Sequence, residues 1–300
     1  MRRRYVTLDV FTDRPFGGNP LAVVLDAEGL SSAEMQAIAT EFNYSETTFV
    51  LPPRQSTHTA QVRIFTSRIE VPFAGHPNVG TAVAVARDLQ SRGLAVPAHF
   101  VFDELAGLVH IRLQREGGTV VGAEITAPER LSVRAEVAVQ DAAECLSLPQ
   151  ADIVAIHHRP CVVSVGLPFL AVEVASRRAL RNAKPSWAAH ERVLPRVGTD
   201  AVYAYWRGGA DGELHARVFS PLDATIEDPA TGSATGAVIA LLASLAEKAD
   251  EDRSWRAEQG VDMGRASVIM GRTEKRGGVV TGVHIAGKAV HMMQGEMLSL

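Results

Sequence analysis

Arg63-Ile64-Phe65-Thr66 leading to Pro72-Phe73-Ala74-Gly75-His76, and Arg217-Val218-Phe219-Ser220 leading to Pro229-Ala230-Thr231-Gly232-Ser233, decide how this chain is built. Each begins as a β-rich run, reaches a Pro-x-x-Gly turn, and enters a stretch of small residues. Those stretches, 79–86 and 234–245, read as apolar, closely packed helices. Earlier in each half, Pro20-Leu21-Ala22-Val23-Val24 has a counterpart in Pro168-Phe169-Leu170-Ala171-Val172. Each half is expected to close on a glycine-turned hairpin, the first at Glu116-Gly117-Gly118 and the second with strands 279–285 and 289–293 about Ala286-Gly287-Lys288. Four echoes in one order indicate an internal duplication. Two related lobes would enclose a cleft, where small-molecule sites concentrate.

The remaining sequence is consistent with that plan. Its 300 residues are 46% apolar and 21% charged, enough for sizeable cores and too apolar for global disorder. A formal charge of −4 gives no electrostatic basis for binding nucleic acid or an anionic membrane. Cys145 and Cys161 form neither a disulfide framework nor a zinc pattern. The basic start Arg2-Arg3-Arg4 leads into an apolar run broken at Asp9, unlike a signal peptide. The longest mainly apolar stretch, 237–246, falls far short of the ~20 residues that span a bilayer. A soluble cytoplasmic protein is expected. The first fifty residues run strand, strand, helix from Ser31 or Ser32, strand, which is not the strict alternation of a doubly wound sheet. A polar stretch, 128–148, is expected to hold a helix joining the halves, and the charged segment 247–258 reads as a solvated helix end and loop.

The turns suggest chemistry. Glycine lets backbone approach a ligand, and a helix's first N–H groups carry partial positive charge, so two such turns can hold a carboxylate without a metal. Either turn alone reads as a glycine needed for its own geometry. The side chains break the symmetry: His76 stands in the first turn, Ser233 in the second, and Glu227-Asp228 precede the second. A lone histidine is more often structural, and an acid before a helix is often a capping partner. Glu46, in Ser45-Glu46-Thr47-Thr48-Phe49, would become a base only in a water-poor cleft. No metal is expected, because His157-His158 lacks a spaced companion and no phosphate loop or dinucleotide fingerprint is present.

Taken together, Asp9-Val10-Phe11 with Gly18-Asn19-Pro20, Ser45-Glu46-Thr47, Pro72-Phe73-Ala74-Gly75-His76-Pro77, Glu227-Asp228-Pro229-Ala230-Thr231-Gly232-Ser233 and Gln259-Gly260 through Met263-Gly264-Arg265 resemble the phenazine-biosynthesis PhzF-type isomerase family. The resemblance implies a diaminopimelate-epimerase-like α+β fold: two pseudo-symmetric lobes, each a mostly antiparallel curled sheet around a central helix, with the active site between them. The lobes are drawn at 1–128 and 129–300, the last strands being open to returning to the first. By position, Glu46 matches the family's acid/base glutamate, and His76 and Asp228 its polar partners. Ser45, Gly75, Gly232 and Ser233 match substrate-holding positions. The racemases of this fold carry a cysteine in each turn. Here Ala74-Gly75-His76 and Thr231-Gly232-Ser233 carry none, which rules out two-thiol racemisation in its usual form.

The sequence therefore points to a cofactor-independent isomerase that moves a proton between carbons of a small carboxylate. The family's best-known member acts so on trans-2,3-dihydro-3-hydroxyanthranilate. A non-catalytic small-molecule binder or interaction protein and a non-cysteine epimerase are the alternatives. A homodimer is the family's habit.

Overall fold

The computed structural model describes residues 2–223 and 225–298. The chain divides into two compact units, one gathering the residues up to Thr126 with those from Ala286 on, the other comprising Ala127–Ile285.

In the first unit, β1 (Arg3–Val10) and β2 (Asn19–Val24) form an antiparallel pair. Helix α1 (Ser32–Phe42) then carries the chain to β3 (Glu46–Leu51), parallel to β2. Ser31 starts that helix with a full capping box: its hydroxyl accepts from the Glu34 N–H while the Glu34 carboxylate reaches back to the Ser31 N–H. Asn43 ends it in the left-handed conformation, φ 52°. Strands β4 (Ala60–Phe65) and β5 (Glu70–Val71) follow antiparallel, then helix α2 (Gly75–Ser91). Strand β6 (His99–Glu104) returns parallel to β4, and β7 (Gly107–Glu116) and β8 (Thr119–Thr126) complete the unit's forward run. Every residue from Gly75 to Ala84 in α2 is buried, so the small side chains of this helix serve packing on all sides. At Gly80 a Cβ would stand 2.5 Å from Leu21 Cδ2 and 2.7 Å from Val10 Cγ2, showing how closely α2 lies against β1 and β2.

The second unit repeats the pairing pattern. After β9 (Ser132–Glu136) and α3 (Val139–Cys145), β10 (Cys161–Ser164) and β11 (Pro168–Glu173) pair antiparallel, as β1 and β2 do. Helices α4 (Arg177–Asn182) and α5 (Trp187–Val197) lead to β12 (Val202–Trp206), parallel to β11 as β3 is to β2. Strands β13 (Glu213–Ser220) and β14 (Thr225–Asp228) are antiparallel and precede α6 (Gly232–Leu245). Strand β15 (Glu251–Gln259) then runs parallel to β13, and β16 (Ser267–Arg276) antiparallel to β15. Alternation divides the strand residues between two cores. Leu170, Val172, Val202 and Ala204 pack with α3, α4 and α5, and the intervening Ala171 and Tyr203 are buried on the other face, where the Tyr203 hydroxyl meets Thr235 of α6 at 3.1 Å.

The echoed motifs occupy equivalent places. Arg63 grips Glu70 through Nε and Nη2 at 2.7 and 2.6 Å and lies over Phe65; Arg217 grips Glu227 at 2.8 and 2.7 Å and lies over Phe219. Each latch ties a strand to the short strand five residues before a helix-starting glycine, Gly75 or Gly232. Arg217 also donates to the carbonyls of Leu180, Arg181 and Ala183, closing the end of α4.

Three expectations need correction. Residues 279–293 are not a hairpin about Gly287: β17 (Val279–Met297) is one strand, and the turn lies earlier, at Gly277-Gly278. Gly287 is needed for a different reason, since a Cβ there would stand 2.2 Å from Phe11 Cδ1, where Phe11 N–H donates to the Lys288 carbonyl. From Ala289 onward β17 pairs antiparallel with β1. Segment 247–258 is not a solvated helix end, because β15 occupies most of it: Trp255, Ala257 and Gln259 point inward, Arg253 lies on the same face over Trp255, and the charged residues between them alternate to the other face, where Asp252 pairs with Arg276. Finally, both central helices begin earlier than 79 and 234, at the glycines themselves. Pro77 is tolerated in α2 because the first turn needs no donor there. No helix among the described residues is long and apolar enough to cross a membrane.

Candidate active site

In the first unit, Leu21 of β2 pairs with Glu46, so Pro20 and Glu46 lie at the starts of adjacent parallel strands, beside the opening of α2. Ser45 stands in the bend just before β3. Glu46 Oε2 faces His76 Nε2 at 3.4 Å, with both side chains largely enclosed. The His76 ring donates to the Pro20 carbonyl, and Nε2 makes no hydrogen bond, which assigns the donating hydrogen to Nδ1. Burial pushes the imidazole down to about 3, against a smaller opposing contribution from the Pro20 carbonyl. His76 is therefore neutral at physiological pH. Its acceptor Nε2 stands 3.4 Å from a carboxyl oxygen with no hydrogen bond formed between them, close enough to accept from that carboxyl once it is protonated and the two side chains align. Behind the pair, Thr48 and Thr81 share a buried hydrogen bond of 2.7 Å that ties β3 to α2.

In the second unit, Asp228 ends β14, and Gly232 and Ser233 open α6. Thr231 donates its hydroxyl to Asp228 Oδ2 in a short contact, leaving α6 without a side-chain cap. α2 likewise has none, since its N-cap is Ala74. Both first turns thus lack the side-chain oxygen that would ordinarily satisfy N–H groups, a feature shared with anion-holding helix starts. The acidic turn is held by Gln259, which accepts from Thr231 N–H at 3.0 Å and donates to the Asp228 carbonyl at 2.8 Å. Gly260 lies in the left-handed region at φ 72°, where a Cβ would stand 2.6 Å from the Pro229 oxygen, and Ser267 Oγ donates to that same oxygen. Gln259-Gly260 was visible as a motif, but its part as the brace of the Asp228 turn depends on the tertiary pairing of β13 with β15.

The seven sequence-selected residues fall into two groups: Ser45, Glu46, Gly75 and His76 in the first unit, and Asp228, Gly232 and Ser233 in the second. Cys145 and Cys161 lie in α3 and β10, away from either turn in sequence, buried and with thiols pushed up to about 12 and about 11 by burial. Among the described residues no group of three or more His, Cys, Asp or Glu side chains comes together to hold a metal ion.

Comparison with known proteins gives one consistent answer. A family model described as phenazine biosynthesis-like protein matches residues 8–295. An uncharacterized isomerase of Mesorhizobium japonicum is 37% identical over 302 residues, covering 98% of each chain. The trans-2,3-dihydro-3-hydroxyanthranilate isomerase of Pseudomonas chlororaphis is 34% identical, covering 98% of this chain and 99% of that protein. The crystal structure of a PhzF-family phenazine biosynthesis protein from Bacillus anthracis superposes with a TM-score of 0.87 at 26% identity, covering all of both chains.

Proposed function

The chain belongs to the phenazine biosynthesis-like protein family, and we propose that it is a cofactor-independent isomerase that uses Glu46 to carry a proton between two carbons of a small carboxylate. Four relatives that are 34 to 37% identical are named isomerases, and three of these four are trans-2,3-dihydro-3-hydroxyanthranilate isomerases. That compound, or one sharing its carboxylate and activated C–H, is the substrate class this reading selects.

The reaction balances without an external partner. Glu46 carboxylate takes a proton from an sp³ carbon, and the electron pair left behind spreads into the adjacent unsaturated system. The protonated carboxyl then returns its proton to another carbon of that system. Between the two transfers His76 Nε2 accepts a hydrogen bond from the protonated Glu46, its acceptor state set by Nδ1–H donation to Pro20. Asp228, Ser45 and Ser233 fix the substrate's polar groups, and backbone N–H groups near Gly75 and Gly232 hold its carboxylate. The observation carrying this reading is the 3.4 Å approach of Glu46 to a buried, neutral His76.

The test is Glu46→Gln, assayed with trans-2,3-dihydro-3-hydroxyanthranilate in deuterated water. Wild-type protein is expected to isomerise it, with deuterium entering the receiving C–H position to the extent that the protonated Glu46 exchanges with solvent before it returns the proton. The variant is expected to fold and to lose about 10²-fold or more in turnover, the typical weight of a general acid/base. Wild-type turnover in the variant would refute the assignment.

A further inference from the structure

Glu104, the last residue of β6, is a carboxylic acid that the proposed mechanism does not use. It is 4% exposed, and neither carboxyl oxygen has a hydrogen-bond partner. Beside it lies Asn78, fully buried in the opening of α2. Asn78 Nδ2 donates to the Ala74 carbonyl at 3.1 Å, while Oδ1 has no donor. The two Glu104 oxygens and Asn78 Oδ1 are thus buried acceptors without a hydrogen bond, a costly arrangement if the acid is ionised. A proton on Glu104 would supply the donor that Asn78 Oδ1 lacks, whereas the ionised acid can only accept from the Asn78 amide, whose opposing contribution is outweighed by burial.

No charged neighbour favours ionisation. On the same strand Asp103 points to the opposite face and holds His58 Nδ1 and the Arg54 N–H. On β4 and β5, Arg63 is engaged by Glu70. On β7 the residue opposite is Gly107, followed by Leu108, and the adjoining turn contributes the Ala106 N–H to the Pro72 carbonyl. Titratable groups on α2 near its start are limited to His76, which is neutral. Burial alone pushes the Glu104 carboxyl up to about 8, with Asn78 opposing.

We propose that Glu104 is a positioning residue: it is protonated in the folded protein and, through Asn78 and the Ala74 carbonyl, holds the first turn of α2, which carries Gly75 and His76. The Asn78 side chain ties the first turn of α2 back to the Ala74 carbonyl from within, while the first-turn N–H groups stay without a side-chain cap. Loss of the Glu104 proton would leave Asn78 Oδ1 unmatched and place an uncompensated charge behind His76.

The importance of that turn for turnover rests on the proposed function, but the proton and the linkage are tested without substrate. Glutamine at this position donates to Asn78 Oδ1 as the acid does and does not titrate. In wild-type protein the folded acid keeps its proton between pH 4.5 and about 8 while the unfolded one loses it. Its contribution to the unfolding constant therefore rises up to tenfold per pH unit across that range and levels off above it. Glu104→Gln should remove this part of the pH dependence, giving a flatter denaturant-derived stability curve. If the curves of wild type and Glu104→Gln run parallel, the protonated state is refuted. Should the variant fail to fold, the carboxyl carbon shift of Glu104 in selectively labelled wild-type protein decides the same point: a transition near 8 supports the proposal and one near 4.5 overturns it. The His76 ring resonances should move with that transition in wild type and stay fixed across it in Glu104→Gln. Resonances indifferent to it would overturn the linkage to α2. Each result stands whether or not Glu46→Gln retains activity.

Discussion

Replacing His76 by asparagine should make the protein less sensitive to acid. Burial holds the imidazole at about 3, against an ordinary value of 6.5. A group whose folded value is depressed binds its proton first in the unfolded chain, so its contribution to stability is complete above pH 6.5 and falls as the pH drops toward 3. The full displacement corresponds to about 5 kcal/mol at 1.36 kcal/mol per pH unit, and at pH 4.5 about 3 kcal/mol of it is already lost. Asparagine can still donate to the Pro20 carbonyl and has no proton to gain. The assay is urea unfolding of both proteins from pH 7.5 to pH 4, with the difference in unfolding free energy plotted against pH. His291, held at about 4 by burial and by Arg87, and the other titrating groups are common to both proteins and cancel in the difference. Wild type should lose about 2 to 3 kcal/mol relative to His76→Asn between pH 6.5 and 4.5. A difference constant across that range would refute the neutral, buried histidine on which the Glu46 pair depends.

Two further outcomes are expected. Gly287→Ala should destabilise the first unit by about 1 to 3 kcal/mol in denaturant unfolding, since the new methyl group would meet the Phe11 ring in a packed position. Iodoacetamide at pH 7.5 should leave turnover unchanged and label little of the folded protein, because both thiols are buried and held protonated.

Local chemistry made much of the fold legible. Ser31 and Glu34 announced the start of α1, and the Gly117-Gly118 turn joins β7 to β8 as read. The turns at Gly75 and Gly232 were found because their residue types recur in order, a pattern that survives without knowledge of packing. The failures share a physical cause. Gly287 resembles a turn glycine in sequence, and only the Phe11 ring pressed against it explains its presence in a strand. In β15, charges dominate the composition, while the inward set of Trp255, Ala257 and Gln259 is sparse enough to be overlooked. Pro77 concealed the beginning of α2. The meeting of Glu46 with His76 and the isolation of Glu104 are tertiary facts: one depends on β2 lying beside β3, the other on the end of β6 lying beside the first turn of α2. Apart from the family resemblance of Ser45-Glu46-Thr47, nothing in the neighbours of either acid along the chain distinguishes it from the other carboxylates.

The two arginine latches bear on how unlike halves can come from a repeated scaffold. Each anchors its segment five residues upstream of the glycine that starts a helix, upstream of the positions where the copies diverge. The backbone frame is thereby set before the chemically distinct residues are reached. One copy could acquire an imidazole and the other a hydroxyl as independent changes, with neither helix having to find a new starting point. Keeping the anchor while freeing the residues beyond it lets a repeated frame carry unlike halves.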